Sequence, residues 1–350
     1  MKKMSTYNEI CGVIHVHFSI KNWGKCFEEI LKDGERAKVD FVILTTHTPK
    51  RKKGEYKLLF NLEGYYKNLY VIHGEEFDEK KKNHLILIGR KDWIGEENIF
   101  EGEKNIIKLV VHPYGKHRLF FVKKNYMWQK WNEKFDGMEI WSLLFDWADK
   151  TRIYNIPLRY LFFPSNVSVP NEKILRKWDI LNLERKVIGF AGLDIHSLPL
   201  YLKIFDFRNV FSYKNVFKTL RNHIYLKEKL TGNFEIDKMK ILNAIKKGNL
   251  FFSNDFLEDS SGFYFGEKRG NYFCGEGGKI GDIILIKNPV AARTKLIRNG
   301  EVIIEEKIME EEYKVEKEGN YRVEVYFKNR NWIFSNNIYI RGEKNGEKEI

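Results

Sequence analysis

The chain has 350 residues, 61 of them basic and 48 acidic, a formal net charge of +13, a pI near 9.3 and 43% hydrophobic side chains. That length supports a full core and about two domains, and three scattered cysteines (Cys11, Cys26, Cys274), odd in number and without metal spacing, suggest neither a disulfide framework nor a cysteine-based zinc site. Residues 1–11 lack a signal-peptide core and no apolar run reaches the ~18 residues of a membrane span, so the expectation is a cytoplasmic protein without a membrane partner; acidic residues dilute the basic excess, which leaves nucleic acid open as a partner.

In chain order, residues 12–17 read as a strand, 23–37 as a helix with Phe27, Ile30, Leu31 and Gly34 on one face, and 41–46 as a second, buried strand. Further strands are expected at 70–72, 85–88, 109–111, 138–141 and 187–190. Alternation of strand-like and helix-like segments predicts a parallel sheet built from β-α units. A helix over 236–247 carries Ile236, Met239, Leu242 and Ile245 at helical spacing and stops at Gly248, which fits a C-cap.

The polar, turn-rich stretch 254–262 then divides a domain over 1–256 from a second over 257–350. In the latter, Asn299 and Gly300 between two apolar runs predict a type I′ hairpin. Tyr321, Val323 and Val325 alternate with Arg322, Glu324 and Tyr326, giving one buried and one wet face. Short strands with turns predict a small β-sandwich, followed by a frayed, charged end at 342–350.

The ends of the apolar runs carry metal-type ligands: His15 and His17, His47, Glu76, His84, His112, Glu139, and Asp194 with His196. Residues i and i+2 of a strand point to one side, so His15/His17 and Asp194/His196 each present a pair. A lone HxH is weak evidence, because satisfied histidines are common. Two pairs, with other ligand-type residues at separate strand ends, predict a metal site assembled at the rim of a barrel. Imidazole and carboxylate suit Zn, Mn or Fe. Shared carboxylates let two or more ions sit together, and such sites activate water and clamp both oxygens of an in-line displacement.

The motifs HVH at 15–17, TTHT at 45–48, HGEE at 73–76, VVHP at 110–113 and GLDIHS at 192–197 resemble, in order and spacing, those of the PHP (polymerase and histidinol phosphatase) superfamily. The likeness is nearest to the branch that includes the aryl-carbamate hydrolases, in which a histidine such as His84 follows the glutamate motif and a GMEIW-like strand follows the HP motif. It spans about residues 10–200 by motif and reaches 252 by helix pattern; WIFSNNIYI near the end is similar to the branch's terminal strand. The resemblance implies a distorted (β/α)7 barrel and two or three divalent ions. His15, His17 and Asp194 would hold one, Glu76 would bridge to a second held by His112 with His84 or Glu139, and His47 with His196 would serve a third. Asn22 stands where the family has an aspartate and offers only a neutral oxygen, and Thr46 replaces an acid of the second motif, so the third ion is the weakest.

Lys50, Arg51, Lys52 and Lys53 follow His47, and Lys81 and Lys82 precede His84, so both runs belong to rim loops that would attract an anionic substrate; a solvated charged loop is the plainer reading. Tyr126, Trp128, Trp131, Phe135, Trp141, Phe145 and Trp147 are read mainly as core, with one or two available to line a pocket. His73, His117 and His223 match no ligand position and are read as hydrogen-bonding or surface histidines. The expected activity is a metal-dependent phosphoesterase acting through a metal-bridging hydroxide on phosphate mono- or diesters, such as a nucleotide or short oligonucleotide. The alternatives are a metal-dependent ester, amide or carbamate hydrolase and a binding protein with a decayed site.

Overall fold

The apolar runs become β1 (Asn8–Val16), β2 (Phe41–His47), β3 (Gly64–Tyr66), β4 (Leu69–Glu79), β5 (Lys82–Ile88), β6 (Ile107–Val110), a short ribbon of β7 (Lys116–His117) and β8 (Lys124–Asn125), then β9 (Gly137–Ser142) and β10 (Ile188–Ile195). The computed structural model describes residues 7–18, 23–47, 59–79, 82–89, 106–117, 124–196 and 211–342. Asn22, Lys50, Arg51, Lys52, Lys53, Lys81 and, of the frayed end expected over 342–350, all but Gly342 lie outside them.

Strands β1, β2, β4, β5, β6, β9 and β10 pair in that order and β10 returns to β1, closing a seven-stranded barrel. Every residue of β9 and β10 is buried, as staves covered on both faces require. The expected all-parallel sheet is corrected at β5, which runs antiparallel to both neighbours. Only residues 80 and 81 separate β4 from β5, too few for a crossover, so the chain must turn back on itself. Strict strand–helix alternation is also lost between β6 and β9, where the described chain carries the β7–β8 ribbon.

Helix α1 (Trp23–Ala37) buries Cys26, Phe27, Ile30, Gly34 and Ala37, close to the face expected. Helices α2 (Leu143–Asp149), α3 (Ile156–Leu161) and α4 (Glu172–Glu184) link β9 to β10. Beyond β10 come α5 (Tyr213–Val216), β11 (Leu220–Leu226), α6 (Phe234–Lys247) and β12 (Leu250–Asn254). Asn233 caps α6 by accepting from the Ile236 N–H at 3.2 Å, and Gly248 ends it at φ 70°. The buried face of α6 differs from expectation: Asp237, Ile241, Ala244 and Ile245 point inward while Ile236 and Met239 are exposed. The helix phase follows Asp237, whose carboxylate accepts from the Tyr70 hydroxyl at 2.7 Å and from the N–H groups of Thr231 and Gly232.

The remaining strands are β13 (Tyr264–Glu267), β14 (Gly277–Lys279), β15 (Ile283–Arg298), β16 (Glu301–Lys314), β17 (Gly319–Phe327), β18 (Arg330–Ser335) and β19 (Ile338–Arg341). Asn299 and Gly300 turn β15 into β16 with φ of 54° and 88°, as the hairpin reading requires. These strands enclose an apolar cluster that includes Phe263, Leu296, Tyr321, Val323, Trp332 and Ile338. The sheet passes from barrel to tail through the β12–β18 pairing. The expected wet face of β17 is a correction: Arg322 and Glu324 are buried. Arg322 forms a bidentate pair with Asp179 of α4 (2.7 and 2.8 Å) and reaches Glu324, because this face packs on the barrel's helix rather than on water.

One seam of the barrel depends on the tail. β1 pairs with β11 through residues 8–12 and with β10 only at Ile14↔Gly192 and Val16↔Ile195, so the first half of β10 lacks a strand on that edge. Two buried amides replace it. Asn222 exchanges hydrogen bonds with the backbone of Ala191 (2.9 and 2.8 Å), and Asn336, between β18 and β19, does so with Gly189 (2.7 and 2.9 Å).

Candidate metal centre

Because most barrel strands are parallel, their carboxyl ends share one rim, and the ligand-type residues lie there. His17 and His196 just follow β1 and β10, His47 ends β2, His112 follows β6, and Glu76, His84, Glu139 and Asp194 stand on β4, β5, β9 and β10. Three of them hold left-handed backbone rare outside glycine: His15 at φ 68°, His112 at 31° and Asp194 at 49°. The register of β1 also shifts between Ile14 and Val16. His15 and His17 therefore converge, with ring centroids 5.1 Å apart, through a bulge rather than through the plain strand alternation expected. Such backbone persists only where surrounding structure enforces it, and it concentrates at functional sites.

Glu76 is the hub. Its Oε2 lies 3.2 Å from His17 Nε2, 3.7 Å from His15 Nε2 and 3.0 Å from His47 Nδ1. Its Oε1 lies 2.6 Å from His84 Nδ1 and 3.2 Å from His112 Nε2. Asp194 Oδ1 is 3.4 Å from Nε2 of both His15 and His17. Three overlapping groups result, each compact enough to hold a cation: His15, His17, Glu76 and Asp194; Glu76, His84 and His112; and His17, His47 and His196. The last is the open side, since the His47 and His196 side chains are 29% and 42% exposed while the others are nearly closed off.

Glu139 stands behind this shell. Its Oε2 accepts the His112 backbone N–H at 2.6 Å and its Oε1 lies 3.4 Å from His15 Nδ1, turning His15 Nε2 toward Glu76 and Asp194. Gly192 of β10 makes room for it: a methyl there would meet Glu139 Oε1 at 1.9 Å.

The electrostatics favour a cation. Burial lowers the His15 pKa, yet the Asp194 and Glu139 charges outweigh it and hold the group well above its usual 6.5. Burial raises Glu76, yet hydrogen bonds from His112, His15, His17 and His47 hold it well below the carboxylate range. Glu76 is thus kept ionised among imidazoles, and a charged carboxylate beside imidazole lone pairs is a donor set that suits a metal ion. The ring nitrogens support that fit: His15 Nε2, His17 Nε2 and His47 Nδ1 face the Glu76 carboxylate, and the buried His84 Nε2 and His112 Nδ1 have no hydrogen-bond partner among the described residues.

A second cluster makes the contrast. Cys11, His223 and Asp255 are also close enough together for an ion. There, however, His223 Nδ1 meets Glu9 at 2.7 Å, Nε2 meets Asp255 at 3.0 Å, and the second Asp255 oxygen accepts from Ser253 and Ser260 at 2.6 Å. This group satisfies itself, and His223 is a fully buried hydrogen-bonding histidine, the first of its two expected roles.

Of the aromatic stretch, Trp128, Phe135, Trp141 and Trp147 are buried in the core. Tyr126 and Phe145 are half-buried at the centre: Phe145 stacks on His112 at 4.1 Å, and Tyr126 meets His84 edge-on at 4.9 Å. Sequence reasoning left the roles of Gly192 and of the His223 network unread; the turn-like Asp255–Ser260 stretch gave no sign that its side chains fold inward. Of the proposed phosphate-binding lysines, Lys82 is exposed at the start of β5. Thr46 is buried beside His47.

Neither a family model nor a curated protein matches the chain. Among solved structures it is similar to that of a two-domain protein from Bacteroides vulgatus containing a predicted PHP-like metal-dependent phosphoesterase, at 12% identity and a TM-score of 0.40, over 95% of this chain and 96% of that one.

Proposed function

We propose that this chain is a PHP-type metal-dependent phosphoesterase acting on phosphate mono- or diesters. The observation that carries the reading is the convergence of five imidazoles, His15, His17, His47, His84 and His112, on one shared buried carboxylate, Glu76. His15, His17, Glu76 and Asp194 would hold one ion, and Glu76, His84 and His112 a second; His17, His47 and His196 offer a third, more open position. When bound, such ions polarise the ester and lower the pKa of water toward neutrality.

The chain's own contribution is positioning. Glu139 fixes the ring of His15 from behind and ties down the backbone of His112. Glu76 spans two ligand groups, which keeps their separation constant. The exposed edge at His47 and His196 is the entry for substrate, and the basic runs at Lys50–Lys53 and Lys81–Lys82 would steer an anion toward it. A second reading, hydrolysis of an aryl ester or carbamate, draws on the half-buried rings of Tyr126 and Phe145 beside His112.

The test is metal analysis of full-length protein purified without chelator, with hydrolysis of bis(p-nitrophenyl) phosphate and p-nitrophenyl acetate compared in Mn or Zn. At least two ions per chain, with diester cleavage abolished in His112→Ala, supports the proposal. Acetate turnover alone favours the second reading. Less than one ion per chain with no hydrolysis under supplementation removes both.

A further inference from the structure

Tyr126 is held at the metal centre by backbone. Its N–H donates to Gly115 O at 3.0 Å and the Trp128 N–H donates to Pro113 O at 2.9 Å, so residues 126–128 lie alongside the turn that follows His112. Trp128 is buried and anchors the segment. The Tyr126 ring is thereby set edge-on to three rings at once: His84 (4.9 Å, 73°), His112 (6.0 Å, 67°) and Phe145 (5.7 Å, 88°).

The ring alone explains this packing, and a phenylalanine would supply it. The hydroxyl is unexplained. Among the described residues it makes no hydrogen bond, although it lies near enough to the centre for the charges of Asp194, Glu76 and Asp78 to bear on it. A half-buried phenol with no partner among the described residues is a donor available to a bound group, and at pH 7 a phenol retains its proton.

We propose that Tyr126 is a substrate-positioning residue whose phenolic O–H donates a hydrogen bond to an oxygen of the anionic group bound at the Glu76–His84–His112 corner. In the functional reading above, on which this inference rests, that oxygen belongs to the phosphoryl group.

The experiment uses full-length, Mn-loaded protein and inorganic phosphate as the probe. Tyr126→Phe keeps the ring and removes only the hydroxyl. It is expected to retain wild-type metal content and melting temperature, to bind phosphate about 10–100-fold more weakly by titration calorimetry, and to lose a similar factor in kcat/KM for a phosphate ester, mostly through KM. Phosphate affinity and KM within twofold of wild type would overturn the inference while leaving the phosphoesterase reading intact. Loss of bound metal in Tyr126→Phe would also overturn it, by showing a structural role. Failure of the wild-type protein to bind phosphate or cleave any phosphate ester defeats the functional reading itself, and the inference with it.

Discussion

Adding a single methyl at Gly192 should damage the metal centre from behind. The Cβ of Gly192→Ala would fall 1.9 Å from Glu139 Oε1, where ordinary contact begins at 3.4 Å, so the carboxylate must retreat by about 1.5 Å, the difference of the two. Glu139 is fully buried, and both its oxygens are engaged, one by the His112 N–H at 2.6 Å and one beside His15 Nδ1 at 3.4 Å. Overpacking costs ~1–3 kcal/mol, and stranding the buried N–H adds ~1–3 kcal/mol. We expect a loss of about 2–6 kcal/mol in urea unfolding. Metal affinity should drop roughly 10–100-fold, as when a ligand's supporting partner is lost. Competition with a chromophoric chelator would read it. Glu139→Ala removes the obstacle, so on that background Gly192→Ala should cost under ~1 kcal/mol more, a clear departure from additivity. Equal costs in the two backgrounds, or unchanged metal affinity, would refute the reasoning.

The other predictions address separate parts of the molecule. Burial raises Asp255, but the charge and hydrogen bond of His223, with Arg221, bring it down to about 2 from 3.8. A depressed carboxyl contributes above its unfolded pKa and loses that contribution as pH falls through the folded one, so the stability gap between wild type and Asp255→Asn, about 2 kcal/mol, should hold above pH ~4 and close toward pH ~2. His223 is raised well above 6.5, burial being outweighed by Cys11 and Asp255, so its share is complete below that pH and fades as pH rises beyond it; stepped-pH urea titrations test both limbs. Arg322→Ala strands Asp179 and Glu324 and should cost about 3–5 kcal/mol, read as a fall in urea midpoint. Asn336→Ala leaves the Gly189 N–H and carbonyl unpaired and should cost roughly 2–4 kcal/mol, although it lies in the tail and the damage is to the barrel. His84→Ala should lower metal stoichiometry by elemental analysis and Cys11→Ala should not, because His84 keeps a buried ring nitrogen with no hydrogen bond among the described residues whereas Cys11 borders a group whose His223 nitrogens are both engaged.

The sequence alone determined which segments would become staves, since each barrel strand is a short apolar run bounded by polar residues, and burial of such runs does not depend on which neighbour covers them. It also marked residues that the fold brings together at one rim, His15, His17, His47, Glu76, His84, His112, Asp194 and His196, because each stands at the end of a buried run. Local backbone chemistry was equally legible at Asn299–Gly300 and Gly248, where positive φ selects the residue. Three-dimensional packing decided the rest. The antiparallel β5 follows from a two-residue connection, the inward Asp237 from donors on β4 and the 231–232 turn, and the buried Arg322 from a carboxylate on a helix 143 positions away. Likewise Glu139 meets His15 and the His112 N–H because Gly192 on the neighbouring strand leaves it room. These outcomes rest on partners distant in sequence, and a charged or polar side chain takes its role from the donor or acceptor it meets rather than from its own chemistry.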